Sequence, residues 1–100
     1  MDKAFLDAVT KILNDFALTK FSAQVLELKG PIQEGPSYRW RLMSNRYKEV
    51  TVLLVTKKQF FGKPSAESFE IYGLEERKKL GPTLQELQTC LETAQLEPIR

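Results

Sequence analysis

The side chains best suited to bind a ligand lie between positions 37 and 63 of this 100-residue sequence. This stretch, the basic segment, holds seven basic residues and one acid, Glu49, for a charge of +6. The other positions hold eight basic and twelve acidic residues, a charge of −4, which together give the chain its net +2. Lysine and arginine neutralise phosphates, and exposed aromatic rings stack on bases. The segment therefore predicts an anionic partner, either an acidic protein or a nucleic acid.

The candidate binding residues are basic side chains of that segment and one tyrosine: Arg39, Arg41, Arg46, Tyr47, Lys48, Lys57, Lys58 and Lys63. We expect Trp40 in the core because it alternates with arginines, whereas Tyr38 and Tyr47 lie nearer strand ends and are better candidates for exposure. An ordinary solvated sheet face is the alternative, since long basic side chains are common on exposed strands. The pair Phe60–Phe61 is expected to cover the core edge; an exposed Phe there would instead suit a protein groove or a membrane surface.

Catalysis receives little support from the composition. The sequence has no histidine and one cysteine, which excludes Ser-His-Asp and Cys-His catalysis and the usual zinc sites. Neighbouring carboxylates such as Glu67 and Glu70, or Glu75 and Glu76, have no spacing that indicates an acid–base pair. We expect no enzyme, no cofactor and no metal, with a small carboxylate-only enzyme as the remote alternative.

One domain spanning residues 1–100 is expected from the length. The single Cys90 permits no internal disulfide, which favours a reducing compartment and hence the cytoplasm. The first residues carry charges where a signal peptide would be apolar. The longest run of large apolar residues, 52–55, is far shorter than the roughly 20 needed for a membrane span.

Hydrophobic periodicity predicts two helices with a sheet between them. A helical stripe over 4–17 follows Asp2 as a candidate N-cap, and a second helix begins after Thr83, with Glu86 completing a capping-box pattern. Alternation predicts strands at 21–29, 38–43 and 49–56 and a shorter one at 68–72. We predict loops at 30–37 and 57–67, a solvated charge run at 75–79 and a frayed tail at 97–100.

These elements predict an α+β fold of order α-β-β-β-(β)-α, with an antiparallel sheet and both helices packed on one face. The order resembles that of the double-stranded RNA-binding fold. The second helix, however, opens with Thr83 and Glu86 among its first residues, where that family has lysines, so membership is not assigned. We expect a non-catalytic interaction module that binds a protein or self-associates through its sheet and basic segment, including as a homodimer. Nucleic-acid binding by the same segment is the alternative.

Overall fold

The computed structural model describes residues 2–20, 25–57, 62 and 64–99. Two helices flank five strands in chain order: α1 Lys3–Lys20, β1 Val25–Glu34, β2 Ser37–Ser44, β3 Val50–Lys57, β4 Ser65–Tyr72, β5 Lys78–Leu80 and α2 Leu84–Glu92. The strands form one antiparallel sheet in the order β1-β2-β3-β4-β5, so each strand pairs with its sequence neighbour. The predicted α+β class is confirmed.

The predicted loop at 30–37 is wrong for most of its length. Strand β1 continues through Gly30 and Pro31 to Glu34 and pairs with β2, with a break in register between Lys29 and Ile32. Proline is tolerated there because β1 is an edge strand and the register break is a bulge-type site. Gly30 has a φ of 124°, which other residues rarely adopt and glycine can. The chain on either side of it stays in the strand, and the turn begins only at Gly35.

Three other predicted boundaries change. Strand β4 begins at Ser65 rather than at 68. The predicted charge run at 75–79 overlaps strand β5, whose Lys79 pairs with Glu70. The predicted frayed tail at 97–100 is wrong over 97–99, while Arg100 lies outside the described residues, and 95–99 are ordered. They form a docked segment, the tail strap, in which Lys48 N donates to Glu97 O at 2.8 Å and Ile99 N donates to Arg46 O at 2.9 Å.

The core lies against one side of the sheet, here called the inner face. It carries Trp40, Val52 and Phe69, all 0% exposed, in one hydrophobic cluster with residues of both helices. The Trp40 indole donates to the Thr10 hydroxyl at 2.9 Å, and the Phe5 ring stacks on Phe69 with centroids 6.2 Å apart, so α1 packs on this face. The prediction of a buried Trp40 is confirmed. That α2 covers the same face stays a prediction, although its Leu87 and Leu91 join the same cluster.

Both predicted N-caps are confirmed. Ala4 N donates to the Asp2 carboxylate at 3.1 Å, and Glu86 N donates to the Thr83 hydroxyl at 3.1 Å. Each side chain satisfies one of the backbone N–H groups that a helix start leaves without a partner. Within the described residues, neither helix is long and apolar enough to cross a membrane.

Candidate functional site

The side of the sheet opposite Trp40, here called the outer face, carries most of the functional candidates on the strands. The alternation of buried and half-buried residues along β3 turns Leu53 and Val55 to this face. Register places Arg39 beside Leu53 and Leu53 beside Glu70, so one row crosses the three central strands. The next row runs from Arg41 through Thr51 to Tyr72. The centre of this face is therefore apolar, with charged groups on both sides.

The two arginines of the outer face have acidic partners. Arg39 Nη2 lies 3.1 Å from the Glu34 carboxylate, and Nε and Nη2 of Arg41 lie 2.7 and 2.6 Å from Oε1 of Glu49. Arg39 Nε is shielded from solvent and has no hydrogen-bond partner among the described residues. These pairs are about 40% exposed, so each contributes little to stability. Their consequence is a surface with little net charge.

Arg46, Tyr47 and Lys48 lie between β2 and β3, at the end of the sheet that the tail strap covers. Lys48 Nζ pairs with the Glu97 carboxylate at 2.9 Å, and Tyr47 forms an isolated bridge with Pro98. Tyr47 is half-buried and packs against the core cluster, as does Tyr38. Both tyrosines are thus more exposed than the fully buried Trp40, as expected, but only partly so, because their rings also pack against the core.

Lys57 is exposed at the last position of β3, at the opposite end of that strand from Arg46 and Lys48. Lys58, Lys63 and the pair Phe60–Phe61 lie outside the described residues. Among the described members of the basic segment, the structure brings Arg39 and Arg41 together on one face and sets Arg46, Lys48 and Lys57 apart at two ends. These described residues do not form one contiguous basic patch.

A cluster around Tyr72 borders the outer face on the β4 side. Arg77 lies over the Tyr72 ring at 4.8 Å, hydrogen-bonds the Tyr72 hydroxyl at 3.1 Å and approaches Glu70 at 3.5 Å. Sequence reasoning assigned Arg77 to a solvated run and missed this cluster. The alternation of β4 already turned Glu70 and Tyr72 away from the core, but no sequence signal placed Arg77 across the β4–β5 turn.

The exposed pair Glu76 and Lys78 and the thiol of Cys90 show shifted pKa values. A hydrogen bond of 2.9 Å from Lys78 Nζ, with the attraction of its charge, lowers the pKa of Glu76 and raises that of Lys78. Burial raises the pKa of the Cys90 thiol, and the nearby Lys78 charge partly opposes this. A raised pKa leaves little thiolate at neutral pH, which is the opposite of an activated nucleophile.

The largest of the clefts found in the described part of the chain, about 600 Å³, lies beside α2 and includes Cys90 in its lining. A cleft of about 170 Å³ lies between the helices, with Phe16 and Leu91 in its wall and Asp15 and Glu92 also lining it. Ligand sites for drug-sized molecules usually measure about 300–1,000 Å³. Among residues 2–20, 25–57, 62 and 64–99, no three acidic or cysteine side chains are grouped to hold a metal ion.

Comparisons with known proteins give no family and no relative. No protein-family model matches the sequence, and neither curated proteins nor solved structures give a significant match.

Proposed function

We propose that this protein is a non-catalytic interaction module that docks a protein partner through the outer face of its sheet. The observation that carries the proposal is the row of Arg39, Leu53 and Glu70, in which an apolar centre lies between opposite charges. Protein interfaces combine an apolar centre with a polar rim in this way, and arginine is enriched in them. We place the module in the cytoplasm, where the free thiol of Cys90 stays reduced.

The ion pairs favour a protein over a nucleic acid. Arg39, Arg41 and Lys48 each have a carboxylate within 3.1 Å, so a phosphate backbone would have to compete with an existing partner. Non-specific nucleic-acid binding depends on unpaired positive charge that releases counterions. Among the described residues, these three cations therefore supply less unpaired positive charge than the count along the sequence suggests.

The face is also better suited to docking than the sheet edges are. The β1 edge carries Pro31 beside its register break and the charged Glu27 and Lys29. The opposite edge strand, β5, has three residues, two of which are lysines. Proline, bulges, short strands and lysines are the devices that keep edges from pairing with other chains.

Site-specific cross-linking tests the proposal. A photoreactive benzophenone amino acid at position 53 is expected to give a protein adduct when it is activated in the cells that produce the protein. The matched control is position 18, where Leu18 is 65% exposed on helix α1 and is not part of the sheet. Absence of any protein adduct from position 53, or equal adducts from both positions, would contradict a docking role for the outer face.

A nucleic-acid binding assay tests the alternative function. We expect no binding of mixed-sequence RNA or duplex DNA, measured by fluorescence anisotropy across a salt series. Binding that weakens steeply with salt, and that Arg39→Glu with Arg41→Glu abolishes, would replace the protein partner by a nucleic acid.

A further inference from the structure

We propose that the partner is a second copy of this chain, packed outer face to outer face about a two-fold axis along β3; this rests on the proposed function. A two-fold interface is self-complementary, so a residue on one side of the axis contacts the partner copy's residue from the other side. An axis along β3 brings β2 of one copy over β4 of the other. The pattern of the outer face meets this condition.

The charges match across such an axis. Arg39 on β2 and Glu70 on β4 lie on either side of Leu53 in the same row. The rotation therefore places Arg39 of each copy, which already lies 3.1 Å from Glu34, over Glu70 of the other, so that two equivalent contacts add a second carboxylate to each guanidinium. Each Glu70 already lies 3.5 Å from Arg77, so in the dimer its carboxylate lies between two guanidinium groups. In the neighbouring row the rotation sets Arg41, whose charge is paired with Glu49, over Tyr72 and the Arg77 that covers its ring.

The apolar residues match as well. Leu53 and Val55 lie on the axis strand, so each faces its own counterpart. Both are half-buried in the single chain and would leave water on association. At the outer edges the rotation sets Ile32, which is 42% exposed, over Lys79, whose aliphatic stem offers it an apolar surface.

The size of the face is adequate for a reversible dimer. The five strands hold 37 residues in all, and at about 4.8 Å between strands and about 3.3 Å per residue they span a projected area of roughly 600 Å². Specific interfaces bury about 800 Å² per partner, so this face lies toward the lower end of that range. We therefore expect a concentration-dependent equilibrium between monomer and dimer.

Charge reversal in two variants provides a sharp test by sedimentation equilibrium. With Arg39→Glu alone, a glutamate faces Glu70 at both equivalent contacts. With Glu70→Arg alone, an arginine faces Arg39 at both. Each variant is therefore expected to weaken self-association by about tenfold or more. An equimolar mixture has opposite charges at both contacts and is expected to form heterodimers as tightly as the wild type. Lys11→Glu, on the exposed surface of α1, is the matched charge-reversal control and should leave the dimer unchanged.

The possible outcomes distinguish the two-fold dimer from a monomer and from a dimer of another arrangement. A wild type that stays monomeric at all concentrations overturns the dimer, and a position-53 adduct with a different protein then leaves the proposed function standing. A dimer that tolerates both single reversals, or a mixture that fails to recover association, overturns the two-fold arrangement. Leu53→Thr replaces an apolar side chain by a polar, β-branched one that strands accept, and it is expected to weaken the dimer without a change of charge. Thermal melts of each variant confirm folding.

Discussion

Trp40 Nε1 donates a 2.9 Å hydrogen bond to the Thr10 hydroxyl and so ties β2 to α1 through the core. The same hydroxyl donates to the Leu6 carbonyl at 3.0 Å. Because Trp40 is 0% exposed, its N–H has no access to water if that acceptor is lost. We expect Thr10→Val, which keeps the side-chain shape, to lower the free energy of unfolding by about 1–3 kcal/mol in urea denaturation.

Thr19→Val is the matched control for that prediction. Its hydroxyl also donates to the carbonyl four residues earlier, Asp15, at 2.9 Å, but the residue is exposed. The expected change is within about 0.5 kcal/mol. Equal losses in the two variants would mean that the bond to the indole is not what matters at Thr10.

A second prediction concerns the close approach of Gly30 to β2. A Cβ at this position would lie 2.6 Å from the Arg39 carbonyl oxygen and 2.9 Å from Trp40 Cα. Gly35 also has a positive φ, 59°, but a Cβ there would meet nothing within 4 Å. We therefore expect Gly30→Ala to destabilise by about 1–3 kcal/mol more than Gly35→Ala, since overpacking adds to backbone strain. Chemical denaturation of the two variants measures the difference. Equal effects would show that the positive φ alone, and not the contact with β2, causes the loss of stability.

The tail strap leads to a third prediction. Leu96 is half-buried, packs against the core cluster and bridges to Leu74, whereas Ile99 is 53% exposed. Leu96→Ala should lower the free energy of unfolding by about 1–2 kcal/mol, in proportion to the apolar area lost. Ile99→Ala keeps its backbone bond to Arg46 and should change stability by less than about 0.5 kcal/mol. Similar small effects at both positions would show that the strap contributes nothing to the core.

The pH dependence of Cys90 gives a fourth prediction. Burial raises the pKa of its thiol, so the native protein forms less thiolate than the unfolded chain at any given pH. The stability that this group contributes is complete below the unfolded pKa and is lost as the pH rises through the higher native value. Alkylation by iodoacetamide should therefore accelerate at higher pH in the native protein than in denaturant.

Lys78 provides the internal control for this measurement. Its positive charge opposes the effect of burial, so Lys78→Gln should move the native alkylation midpoint to still higher pH. Coincident profiles for native and denatured protein would contradict a buried, neutral thiol.

Local sequence patterns predicted the elements whose structure depends mainly on residues close together in the sequence. The Thr83 cap, the α1 stripe and the alternation about Trp40 are local signals, and each was confirmed. The course of β1 was missed because Gly30 and Pro31 usually break strands, and only the register break of an edge strand accommodates them. Strand β5 was missed because three residues carry too little periodicity.

The candidate surface was predicted only in part, for a related reason. Alternation placed Arg39 and Arg41 on the face away from Trp40, which the register confirms. It could not show that Arg39 pairs with Glu34 from another strand or that Lys48 pairs with Glu97, 49 positions later in the chain. Charge counted along the sequence suggested a basic patch, whereas charge in the folded chain is largely compensated on that face.

The late position of α2 and the tail strap has a consequence during synthesis on the ribosome. Their buried residues, among them Leu87, Leu91 and Ala94, emerge after all five strands. A nascent chain that ends before them leaves the hydrophobic cluster to which they belong incomplete and partly open to water. The interval before those last residues leave the exit tunnel is therefore when the chain is most prone to aggregate or to engage a chaperone.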